Sequence, residues 1–174
     1  MLERYTRNHA RAIVGALAVL VVLLVSAITA RAQIVALGAS VVQGYGVSAG
    51  EAFPEQLQAM LRAKGKPYSV RNAGVFGDTT AAVLARFDSA VPEGTRIVIL
   101  LIGGNDVRGG ASVADAKAGI GNIVSRLQAR KIRVIDATPY YNQARREGMV
   151  VLDGLHLNAA GQKYIASKLL PLIN

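Results

Sequence analysis

The sequence predicts an α/β fold, a three-layer α/β/α sandwich on a mainly parallel sheet of four to five strands. Three observations carry this. Strand-like and helix-like segments alternate from Gln33 onward. The runs Ile34-Val35-Ala36-Leu37 and Ile97-Val98-Ile99-Leu100-Leu101-Ile102 are apolar at every position, the pattern of strands covered on both faces. Glycines and polar residues gather just after the strand-like runs, where open parallel sheets place their ligands.

The first strand ends at Gly38, and Ser40 stands two positions later. Glu51 to Lys64 carries Phe53, Leu57, Met60 and Leu61 at helical spacing, and Gly65 stops it. Tyr68 to Asn72 reads as a short second strand. Asp78 or Thr79 can cap a helix over Thr80 to Val91, with Val83, Leu84 and Phe87 on one face; Pro92 and Gly94 break it. Arg96 to Ile102 is the strongest strand. Ser112 with Asp115 resembles a capping box, and the helix behind it runs to about Arg130 despite Gly119 and Gly121. Ile132 to Asp136 is the fourth strand, closed by Thr138-Pro139. Tyr140 to Glu147 is a weaker helix ended by Gly148, and Met149 to Leu152 reads as a short fifth strand. Asn158 caps a last helix, Ala159 to Leu170, with Tyr164, Ile165 and Leu169 on its apolar face.

The chain has 174 residues, enough for one domain. Residues 1–32 are expected to stand apart from it. Arg4, Arg7 and Arg11 precede the uncharged apolar stretch Ala12 to Ile28, and Ala30-Arg31-Ala32 follows. This is the order of a secretory signal peptide, with Gln33 as the new N-terminus and the protein periplasmic or secreted. The competing reading is an uncleaved membrane anchor, since the 17 apolar residues reach the short limit of a spanning helix. Residues 33–174 form the folded domain. Cysteine is absent, which excludes disulfides and thiolate metal sites. The net charge of +9 comes from scattered basic residues, with clusters only at Arg130-Lys131-Ile132-Arg133 and Arg145-Arg146. With few aromatics and no nucleic-acid motif, they read as solvated surface rather than a nucleic-acid face.

Four loops that follow strand-like segments hold residues able to do chemistry: Ser40; Asn72 to Asp78; Gly103-Gly104-Asn105-Asp106; and Asp153 to Asn158. In a parallel sheet such loops converge on one edge. His156 is the one histidine outside the leader, hence the candidate base near neutral pH, and Asp153 three residues earlier can orient its ring. A surface histidine beside a helix cap would look the same in isolation. Ser40 by itself could equally be a turn or cap residue; as a nucleophile it needs that base and oxyanion donors. The backbone N–H groups of Ser40 and Gly77 and the side-chain amide of Asn105 are candidates. Gly46-Val47-Ser48-Ala49-Gly50 matches the nucleophile-elbow pattern, but no buried strand runs into Ser48, so Ser48 is a decoy. Neither a P-loop nor a dinucleotide fingerprint is present, and one histidine without cysteine makes a zinc site improbable.

Taken together, the four loops resemble the blocks of the SGNH (GDSL-type) hydrolase family. Gly38-Ala39-Ser40 resembles the first block, Asn72-Ala73-Gly74 through Gly77-Asp78-Thr79 the second, Gly104-Asn105-Asp106 the third and Asp153-Gly154-Leu155-His156 the last. The resemblance implies a flavodoxin-like sandwich. It implies Ser40 as nucleophile and oxyanion donor, Gly77 and Asn105 as further donors, His156 as base and Asp153 as its orienter. It implies hydrolysis of esters and thioesters, such as acylated sugars and lysophospholipids, without a metal or other cofactor. Two features depart from the family pattern. Ala39 stands where the first block has aspartate, and the stretch between Pro139 and Asp153 is short, which is expected to open one wall of the pocket.

The resulting expectation is an exported serine esterase with a shallow, open site, acting as a monomer on small, short-chain esters. It touches a membrane only if the leader is retained. The alternative is a non-catalytic carbohydrate- or envelope-binding descendant of the same fold, which the Ala39 change motivates.

Overall fold

In the computed structural model, which describes residues 34–173, the chain runs in this order. β1 (Ile34–Gly38) leads into the short helix α1 (Ser40–Gln43) and then α2 (Phe53–Ala63). β2 (Val70–Gly74) is followed by α3 (Thr80–Ala85) and α4 (Phe87–Ala90). β3 (Ile97–Leu101) is followed by α5 (Gly104–Arg108) and α6 (Val113–Ala129). β4 (Arg133–Asp136), α7 (Thr138–Arg146), α8 (Ala159–Leu169) and a 3₁₀ turn (Leu170–Leu172) complete it. The expected leader, 1–32, lies outside the described residues.

The strands pair in parallel in the order β2-β1-β3-β4, with Ile34 opposite Val70 on one side and Ile97 on the other. The continuous apolar runs follow from coverage on both faces. Ile34 and Ala36 of β1 join Ile97, Ile99 and Leu101 of β3 in a core closed by Phe53 and Leu57 of α2, Ala144 of α7 and Ile165 and Leu169 of α8. The alternate positions Val35, Leu37, Val98 and Leu100 pack on the opposite face against Val83 of α3, Phe87 of α4 and Ile123 and Leu127 of α6. This is the three-layer sandwich expected from the sequence. β1 sits between the two strands that follow it in sequence, and the carboxyl ends of β1 and β3 therefore border the crevice where such sheets bind ligands.

Two glycines are required by close approach. A Cβ on Gly38 would lie 2.2 Å from the Leu101 carbonyl oxygen, so only glycine lets β1 and β3 end this close together. A Cβ on Gly119 would lie 2.1 Å from Thr80 Oγ1, which explains a glycine inside the long helix α6 where it meets α3.

Several elements differ from the sequence reading. Met149 to Leu152 is not a fifth strand. Val150 makes a single antiparallel bridge to Leu157, and Asn158 N–H donates to the Met149 carbonyl. The segment finds its partners a few residues further on, so it closes a small loop instead of docking on the exposed β4 edge. The expected helix over Thr80 to Val91 is split at Arg86, which leaves helical geometry at φ −105°, ψ 14°. β2 begins and ends two residues later than expected. It is an edge strand with only Ala73 buried, so its polar residues hid its extent. Helices α1 and α5 were not expected; at four and five residues they are too short to show a period. The Ser112–Asp115 capping box forms with both reciprocal hydrogen bonds.

Candidate active site

The site lies beyond the carboxyl ends of β1 and β3. Ser40 starts α1 directly after β1, its side chain buried. His156 comes from the loop before α8 and is also buried. His156 Nε2 lies 2.8 Å from Ser40 Oγ, although 116 residues separate them. On the other side of the ring, Nδ1 lies 2.6 Å from Asp153 Oδ2.

The local turn explains this pose. Asp153 Oδ1 accepts the backbone N–H groups of Leu155 at 2.8 Å and His156 at 2.9 Å. The bridge between Val150 and Leu157 closes the base of the turn. One carboxylate thus shapes the loop with one oxygen and holds the imidazole with the other. These bonds all favour the ionised form, with the His156 ring bond contributing most, and hold the Asp153 carboxyl at about 2. A ring nitrogen facing a carboxylate carries the proton, which leaves Nε2 as the acceptor toward Ser40.

The second and third loops approach from the β2 and β3 sides. Asn105, in the first turn of α5, donates from Nδ2 to the Asp78 carbonyl at 2.7 Å and accepts at Oδ1 from Arg108. The amide has two N–H groups, and this bond uses one. The loop holding Gly77 is braced by Gln43 of α1, whose Oε1 accepts the Phe76 N–H. Ser48 is exposed in the loop before α2, its N–H directed to Glu51, and takes no part in the assembly.

Two features escaped sequence reasoning. Arg86 ties the loop ends together: Nε pairs with Asp78 Oδ2 at 2.6 Å, and Nη2 donates to the Gly38 carbonyl at 3.2 Å and the Ala73 carbonyl at 2.8 Å. Its reach depends on the break between α3 and α4, which no motif signals. Next to the histidine, the exposed rings of Tyr45 and Phe76 pack against each other at 4.9 Å, and Tyr45 lies 4.5 Å from the His156 ring. Both residues sit in loops whose sequence shows no period. The stretch after Pro139 keeps the helix expected there. A nine-residue helix, α7, stands there and lines a cleft of about 260 Å³ with Tyr141, Asn142 and Arg145; Ser40 and Asn105 line the same cleft. Only the strand that would follow that helix is missing. Among the described residues no cluster of three or more histidine or acidic side chains is placed to hold a metal ion.

A buried serine, an imidazole and an orienting carboxylate at the carboxyl edge of a parallel sheet define the site of a serine-hydrolase-like α/β protein. The model of the GDSL-like lipase/acylhydrolase family matches residues 36–148, and the chain belongs to that family. The match includes Ser40, Gly77 and Asn105 and ends before Asp153 and His156, which the fold alone brings to Ser40. Esterase TesA of Pseudomonas aeruginosa is 28% identical over 107 residues, 61% of this chain. The chain spans about half the length of that curated relative, 53%. The crystal structure of AlinE4, an SGNH-hydrolase family esterase, is 40% identical over 59% of this chain and 56% of its own, with a TM-score of 0.55. The esterase EstA from Pseudoalteromonas superposes with a TM-score of 0.70 over 81% of this chain and 96% of its own at 18% identity, a likeness of fold.

Proposed function

We propose that this protein hydrolyses carboxylic esters or thioesters by acyl transfer through Ser40, His156 and Asp153. The supporting observation is the continuous hydrogen-bonded chain from Ser40 Oγ through both ring nitrogens to Asp153. Ser40 Oγ attacks the ester carbonyl carbon while His156 Nε2 takes the hydroxyl proton. The carbon–oxygen bond to the alcohol then breaks, and the imidazolium returns that proton to the leaving oxygen. Water, losing a proton to Nε2, attacks the acyl-serine. The acid leaves, and the proton goes back to Ser40 Oγ. Asp153 holds the Nδ1 proton throughout and stabilises the imidazolium. The Ser40 and Gly77 N–H groups and the remaining Asn105 amide hydrogen are the donors assigned to the oxyanion. The leader-like 1–32 supports export with cleavage before Gln33, which N-terminal sequencing of the cell-envelope fraction tests.

The deciding experiment is hydrolysis of 4-nitrophenyl acetate and butyrate beside single variants. Ser40→Ala and His156→Ala should each lower kcat by about 10⁶, whereas Ser48→Ala should leave it unchanged. Ala39, in place of the aspartate of the family's first block, is what a non-catalytic binding descendant would also show. A fluorophosphonate separates the two: an activated Ser40 is labelled, and an idle one is not.

A further inference from the structure

We infer that the cleft beside Ser40 receives an acyl group ending in a carboxylate, so that the preferred substrates are half-esters of short dicarboxylic acids. The inference rests on the ester-hydrolase reading above and adds the substrate class.

The two halves of an ester are separated by the position of the base. His156 must deliver its proton to the leaving oxygen, so the alcohol departs on the histidine side, beside Tyr45 and Phe76. The acyl half stays on the other side of Ser40. The cleft lies there, lined by Ser40, Asn105, Arg108, Tyr141 and Arg145 and not by His156. Its volume, about 260 Å³, suits a short chain.

Two guanidinium groups stand in this wall, and each is held in place by neutral acceptors. The Arg145 head donates twice to the Gly154 carbonyl, at 3.2 and 3.0 Å, and lies 5.5 Å from the centre of the Tyr141 ring. The Arg108 head folds over Gly104, where a Cβ would lie 3.3 Å from both Nη atoms, and donates to Asn105 Oδ1. Among the described residues neither head has a carboxylate at ion-pair distance. Burial pushes the Tyr141 phenol up, so it stays neutral and cancels neither charge; its hydroxyl is spent on the Leu155 carbonyl. Asp153, one residue before Gly154, keeps its charge but spends its oxygens on the His156 ring and on the Leu155 and His156 N–H groups, so it forms no ion pair with either head. The wall therefore carries two guanidinium heads held by neutral acceptors, neither directly paired with a carboxylate among the described residues. A guanidinium is the group that binds a carboxylate through a planar pair of donors.

The test measures kcat/KM of the 174-residue protein for 4-nitrophenyl hydrogen adipate and hydrogen suberate against the neutral heptanoate and nonanoate. The ratio of anionic to neutral ester should exceed one for at least one chain length. It should fall about tenfold in Arg145→Gln and in Arg108→Gln. It should also fall as sodium chloride rises, because the heads are exposed and screened. As a control for position, 4-acetoxybenzoate, which carries its charge on the alcohol side, should show no such advantage over 4-acetoxybenzamide. Neutral esters hydrolysed with an anionic-to-neutral ratio below one, or a ratio that both variants leave unchanged, would overturn the inference while the esterase reading stood. An advantage confined to 4-acetoxybenzoate would place the anion on the alcohol side and overturn it as well. Failure of all these esters, neutral ones included, would remove both readings.

Discussion

Asp153 divides its two oxygens between the backbone and the imidazole, and this sets its pH behaviour. The folded-state value of about 2 lies below the ordinary 3.8, so its contribution to stability is complete above pH 4 and lost as the pH falls through 2. Asp153→Asn should therefore melt lower than the parent at pH 7, and the gap should close between pH 4 and 2; thermal unfolding at a series of pH values checks this. In turnover the same change should cost about 10⁴ at neutral pH, because an amide can hold the ring in the wrong tautomer. Asn105 acts at one atom. With one amide hydrogen on the Asp78 carbonyl and one free for an oxyanion, Asn105→Ala should lower kcat on 4-nitrophenyl butyrate by about 10²–10³ and change KM little.

At the scale of elements, two long polar side chains join segments whose ends would otherwise carry unpaired groups. Arg86 serves the ends of β1 and β2 and the Asp78 carboxylate at once. Arg86→Met strands Asp78, whose side chain is only 11% exposed, and should destabilise the protein by about 2 kcal/mol. Because the loops it ties carry Ser40 and Gly77, kcat should fall more than KM rises. Arg86→Lys should restore little, since an ammonium lacks the fork that spans three acceptors. Gln162 of α8 is fully buried; its Oε1 accepts the Phe53 N–H at the start of α2, and its Nε2 donates to the Val41 carbonyl in α1. Gln162→Leu leaves the buried Phe53 N–H and the part-buried Val41 carbonyl without that partner and should cost about 2–4 kcal/mol in urea unfolding. These links explain how an edge built from four short loops holds one geometry.

At the scale of the whole molecule, the strand order decides which loops meet. With β1 between β2 and β3, the loops after the three strands, holding Ser40, Gly77 and Asn105, share one edge. The apolar runs of β1 and β3 made the sheet legible, because full coverage leaves an unbroken signature in the chain. β2 was displaced by two residues, since an edge strand tolerates Arg71 and Asn72 and so blurs its own ends. Met149 to Leu152 had strand-like residues but no strand, because Val150 pairs locally with Leu157 and not with β4. Ser40, Asn105, Asp153 and His156 were legible as types and positions. Arg86 and the Tyr45–Phe76 pair were not, since their roles depend on distances between segments far apart in sequence.

The amino-acid order by itself determined the alternation of elements, the coverage of the central strands, the local Asp153 turn and the family, because each is written in spacing along a few residues. Only the tertiary structure decided that His156 stands at Ser40, that α7 lines the cleft, and that Arg108 and Arg145 stand in that wall with no carboxylate among the described residues at ion-pair distance. Those facts are distances between elements, set by strand order and core packing, and no local pattern encodes them.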